Sequence, residues 1–162
     1  MGLIINNSIP KLKKGYPTVS DKYNVTGGIL TGDYAGVFGQ TVKLESTGYY
    51  SAISSNNTIT YSTEVNGIIL ATNVKLADFD GKVEVKPGEA FNLFINGFIA
   101  VELDAGATVA NVVANAPVYV TANGTFTEAA DASKLANALP NTVYTGVVEQ
   151  VGSTYYAEIY VK

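Results

Sequence analysis

Four residue types are missing from this 162-residue chain: cysteine, histidine, arginine and tryptophan. Without cysteine there is no disulfide framework and no thiolate metal site. Without histidine, the commonest general base and the commonest imidazole ligand are gone. Without arginine, bidentate recognition of phosphate or guanine is unavailable. Charge is sparse as well: 15% of residues are charged, and ten lysines against fourteen acids give a net charge of −4. That balance speaks against nucleic acid as a partner. No uninterrupted apolar run approaches the ~20 residues that cross a bilayer. The opening "MGLIINNSIPKLKK" places its apolar residues ahead of its lysines, the reverse of a secretory signal. The expectation is a soluble protein made in a cytoplasm, with no membrane, nucleic-acid, metal or cofactor partner.

What is present is apolar. Hydrophobic residues make up 47% of the chain, and its length suits one domain with a real core. The charge is unevenly placed. Lys11, Lys13 and Lys14 precede the first acid, Asp21, so residues 1–20 carry +3; the rest holds seven lysines against fourteen acids, or −7. Pro10, Gly15 and Pro17 interrupt any helix there and bias the chain toward extended geometry. Leu3, Ile4, Ile5 and Ile9 would be costly to leave in water. Residues 1–20 are thus expected to be an extended N-terminal arm, either packed on the chain's own core or docked on a neighbour. Residues 21–162 are expected to form a single β-rich domain.

Strand signals fill that domain. "QTVKLEST" (40–47) alternates, "GIILA" (67–71) suits burial on both faces, and Ile59, Tyr61, Thr63 and Val65 alternate with polar neighbours. "APVYVTANGTFTEA" reads as two short strands around Asn123-Gly124, and the last 22 residues as two around Gly152-Ser153. The longest apolar stretch is "FNLFINGFIAVEL" (91–103). Asn-Gly inside it is a hairpin signal, but parity argues against a hairpin. As one strand, Phe91, Leu93, Ile95, Gly97, Ile99, Val101 and Leu103 share a wholly apolar face; as a hairpin, both faces become mixtures. One strand about 43 Å long at ~3.3 Å per residue is therefore favoured, bent or bulged at Gly97. Phe94 and Phe98 then sit among polar residues on its second face. One short helix is expected at 131–138, with Asp131 as N-cap and Pro140 as stop. The fold class expected is all-β: a compact β-barrel or sandwich with one short helix and an extended N-terminal arm.

Catalytic signals are thin. Glu84, Glu89, Glu102 and Asp104 cluster in sequence but read as strand-edge and turn charges. Asp78, Asp80 and Gly81 only faintly follow a calcium loop, lacking its closing Glu. No nucleophile has a recognisable base beside it, so no enzymatic activity is expected. Eleven tyrosines could build a protein- or sugar-binding surface.

The second half carries a distinctive order of strands and turns: Gly67-Ile-Ile-Leu-Ala71, Val83-Glu-Val85 with Pro87-Gly88, and "GFIAVEL" with "DAGATV" (97–109). Pro117-Val-Tyr-Val120 with Gly124-Thr-Phe126, Tyr144-Thr-Gly-Val-Val148 and "AEIYV" (157–161) follow. Over about residues 64–162, the barrel-like part, this order resembles the capsid cement (decoration) proteins of tailed bacteriophages. The resemblance implies a structural virion protein on the capsid exterior, commonly a homotrimer, that reinforces junctions between major capsid proteins; it brings no catalytic residues. It makes Leu3, Ile4, Ile5, Ile9, Lys11, Lys13, Lys14 and Tyr16 candidate contacts with the capsid or a neighbour. Phe94 and Phe98 become candidate contacts between copies. The competing expectation is a carbohydrate-binding or adhesin-like β module of a phage tail or host-recognition structure, which would use the tyrosines and the Asn-rich loops.

Overall fold

The apolar run around Asn96-Gly97 is a single strand of thirteen residues, Ala90–Glu102, and the rest of the chain is arranged around it. The computed structural model describes residues 12–18, 23–71, 83–128 and 134–162. In chain order the strands are β1 (Tyr23–Ile29), β2 (Gly36–Val37), β3 (Thr41–Leu44), β4 (Tyr50–Ala52), β5 (Gly67–Ile69) and β6 (Glu84–Val85). The long strand is β7 (Ala90–Glu102), followed by β8 (Pro117–Thr121), β9 (Phe126–Thr127), β10 (Lys134–Val151) and β11 (Thr154–Val161).

A strand has two edges, and β7 uses both along its length. Leu93 and Phe94 pair with β1 and with β5, while Gly97 pairs with β1 and with β11. Hence β5 and β11 follow one another along one edge, and β1 lies along the other. From β5 the sheet continues through β3 to β4; from β11 it continues through β10 and β8 to β9. Each branch curls back. A parallel bridge between Leu30 and Tyr50 brings β4 to the end of β1, and one between Leu103 and Phe126 brings β9 to the end of β7. Among the described residues one bridge joins each curl, so the expected barrel is instead an open antiparallel sheet folded twice about a shared strand.

The two curls enclose separate cores. Leu30, Val42, Ile69, Val85, Phe91 and Leu93 fill the first. Phe94, Ile99, Val101, Val120, Phe126 and Tyr144 are part of the second. β5 serves both, as the fully apolar "GIILA" run suggests: Ile68 joins the second core and Ile69 the first. β7 also serves both, by a device the parity rule does not see. Its register against β1 jumps from Asn24–Asn96 to Val25–Phe94, leaving Ile95 as an extra, exposed residue. A bulge inverts side-chain parity beyond it. The supposed single apolar face is therefore split, with Phe91 and Leu93 in one core and Ile99 and Val101 in the other. The bulge lies two residues before the expected position, and Gly97, at φ +117°, completes the bend in a conformation that favours glycine.

Two further expectations are corrected. Residues 134–138 of the expected helix are strand, paired with β8 through Lys134–Thr121 and Ala138–Tyr119; residues 131–133 lie outside the described residues. An eight-residue helix is marginal alone, and pairing with a neighbouring strand outweighs it. The alternation at 59–65 does not make a strand either. Ser62–Glu64 is a 3₁₀ turn, and the Glu64 carboxylate accepts the Thr60 and Tyr61 N–H groups at 2.8 and 2.7 Å. Those bonds take the place of a ladder; together with the Lys43 charge they hold the Glu64 carboxyl below its ordinary pKa.

Candidate functional site

The described part of the expected arm, residues 12–18, is fastened to the body at several points. The Leu12 N–H donates to Glu149 Oε2 on β10 at 2.7 Å, and the Leu12 side chain is buried. Gly15 donates to the Ala100 carbonyl at 2.8 Å, Ala100 donates back to Tyr16 at 3.1 Å, and Thr18 donates to Phe98 at 3.1 Å. This segment therefore extends the edge of β7 that β1 occupies further along. Gly15, at φ +77°, passes so close to Gly39 that an added Cβ would lie 2.5 Å from its backbone nitrogen. The segment cannot lift there without breaking backbone bonds. Lys14 pairs with Glu102 at 2.8 Å, with both side chains about one-third exposed, a pair that contributes at most about 1 kcal/mol. Of the candidate contact residues, Lys13 is exposed and Lys14 and Tyr16 are half-buried. Leu3, Ile4, Ile5, Ile9 and Lys11 lie outside the described residues.

The two phenylalanines part company. Phe94 is 1% exposed, lies in the second core and stacks on Tyr23 with ring centroids 6.2 Å apart. It has little surface to offer a second copy. Phe98 is half-buried and stacks on Tyr160 of β11 at 4.5 Å and 25°. The bulge at Ile95 is what sends them to different faces.

Two surfaces were not singled out by the sequence. β1 is exposed at six of its seven residues, including Tyr23, Val25 and Ile29. The signal was present in the uncharged alternation "YNVTGGI", overshadowed by the glycines after it. The second is a polar cleft of about 490 Å³ beside Asp33, Tyr34, Glu45, Asn56 and Asn57. Its polar groups largely satisfy one another: the Ser51 hydroxyl donates to Glu45, and the Asn57 amide donates to Ser51 Oγ at 3.0 Å and the Ala52 carbonyl at 2.9 Å.

The clustered acids have structural partners. Glu89 accepts the Lys86 N–H at 2.7 Å, Glu102 meets Lys14, and Asp104 accepts from the Gly106 N–H and the Thr125 hydroxyl, each at 2.9 Å. Among the described residues no three His, Cys, Asp or Glu side chains gather as metal ligands, and no helix is long and apolar enough to cross a membrane. The faint calcium loop at 78–81 lies outside the described residues.

An exposed strand edge and a half-buried aromatic pair are features suited to contact with other proteins. The family model for structural cement protein (E217 gp24/Pam3 gp6) matches residues 5–160. The chain belongs to this structural cement protein family. The fold agrees: a chain from the capsid of Myoviridae phage XM1 superposes with a TM-score of 0.65, covering 97% of this chain and 95% of that one at 15% identity. None of the curated proteins matches. This cement protein is a capsid-stabilising structural component of a phage virion. The family match also covers the N-terminal half, including the 49–63 segment, beyond the residues of about 64–162 that carry the resemblance in sequence.

Proposed function

We propose that this cement protein binds the outer surface of an assembled capsid and bridges major capsid subunits through its N-terminal arm, without catalysing a reaction. The observation that carries the reading is the fastening of residues 12–18. Leu12 is anchored on Glu149, Gly15 and Thr18 on β7, and Lys14 on Glu102. A load applied to the residues before Leu12 is thereby passed to the central strand of the sheet. Those residues include Leu3, Ile4, Ile5, Ile9 and Lys11, apolar and basic, on a body with the opposite net charge. Many copies on one shell make contacts that are individually weak effective together. The protein also associates with itself, as a homotrimer, using the Phe98–Tyr160 face; sedimentation of a Phe98→Lys variant tests that contact. For the arm, the experiment is binding to sealed capsids that lack this protein. The full chain should bind, and a chain without residues 1–11 should stay in the supernatant. Equal binding by both would remove the arm from the account, and no binding by the full chain would remove the outer surface.

A further inference from the structure

The outer edge of β1 is a surface separate from the Phe98–Tyr160 face. Backbone bonds tell which way its groups point. Leu30 donates to Glu89 at 3.0 Å and accepts from Gly88 at 2.8 Å, so the even-numbered residues of β1 face β7. The N–H and C=O groups of Tyr23, Val25 and Gly27 consequently point away from the sheet. At the far end the edge is taken, since Leu30 bridges Tyr50 and Thr31 donates to the Tyr50 carbonyl at 2.7 Å. Ahead of Ile29, among the described residues, no strand pairs with it. Uncovered edges are usually blunted by lysine, proline or a bulge in the edge strand itself. Residues 23–29 contain no charge and no proline, and residues 90–101 beside them carry no charge either.

The geometry points to a second copy as the occupant: β1 pairs with β1 of another molecule, antiparallel, about a two-fold axis at Val25. Three observations choose this occupant. Two chains of net charge −4 repel one another, and this strip is one they can bring together without setting like charges opposite each other. The outward groups belong to odd residues, and a two-fold at Val25 pairs odd with odd, matching donors to acceptors. The same register sets Val25 against Val25 and Tyr23 against Gly27, an aromatic ring over a residue without a side chain, and it keeps the incoming strand clear of Tyr50. Tyr23 and Val25 lie on the face of Phe94, so pairing continues an apolar surface across both molecules. An isologous contact of this kind closes on itself and covers both edges at once. It is separate from the Phe98 face, so it would tie one trimer to the next.

The chain has no cysteine, which makes the test clean. In the proposed register the two Val25 Cα atoms lie about 5.5 Å apart, within the ~4.4–6.8 Å that a disulfide spans. Ile29 is on the same face and equally exposed, at 42% against 38% for Val25. Its two copies would nevertheless sit about 27 Å apart, eight residues of strand at ~3.4 Å each. Mild oxidation of the full-length protein should convert Val25→Cys to a disulfide-linked dimer on a denaturing gel, reversed by reductant, and leave Ile29→Cys without a cross-link. A Val25→Cys protein that forms no cross-link, as with a foreign strand on this edge, overturns the proposal. Equal cross-linking of both variants, the mark of random collision, overturns it too.

Discussion

Tyr144 is fully buried in the second core, and its hydroxyl has no hydrogen-bond partner among the described residues. An orphaned buried hydroxyl costs about 1–3 kcal/mol. Burial, and after it the negative charge of Glu128, pushes its pKa well above the ordinary tyrosine value. The sign of the pH effect follows. An unfolded chain releases this proton near pH ~10, whereas the folded chain holds it. The stability contribution is therefore present below about pH 10 and is lost as the pH rises further. Tyr144→Phe keeps the ring and removes the hydroxyl. Its unfolding temperature at neutral pH should equal or exceed that of the unmodified protein, and it should lose less stability between roughly pH 9 and pH 11. A drop of several degrees at neutral pH would mean that the hydroxyl has a stabilising partner after all.

At the scale of elements, the strands that alternate cleanly were readable in the sequence, because period-two burial leaves a direct imprint. β11 shows this best: Ala157 and Ile159 are buried, while Tyr156, Glu158 and Tyr160 are not. Features created by pairing were not readable. Nothing local marks Ile95 as the residue β1 skips, and nothing local tells 134–138 that β8 offers a strand partner. The same holds for the candidate site. The charge and apolar content of the arm were visible, but the bonds that fasten residues 12–18 join positions far apart in sequence, as Leu12 to Glu149 does. The separation of Phe94 from Phe98 likewise follows from the bulge. Phe98 and Tyr160 form a half-buried aromatic pair on the sheet's outer side. The Phe98→Lys protein should keep its β-sheet circular dichroism and sediment at lower mass; unchanged mass would take self-association away from this face.

For the molecule as a whole, β7 is the structural link between curls. It lends Phe91 and Leu93 to one core, and Phe94, Ile99 and Val101 to the other; it also holds the arm's root through Ala100 and Phe98. A pull on the arm is thus resisted by the strand common to both halves, an arrangement suited to a clamp on a shell under outward pressure. The energy such a clamp adds exists only in the assembled particle, so the particle is where it must be measured. DNA-filled particles lacking this protein should, after addition of the purified chain, retain their DNA to a higher temperature than untreated particles. DNA release at the same temperature, with the protein demonstrably bound, would contradict the cementing role.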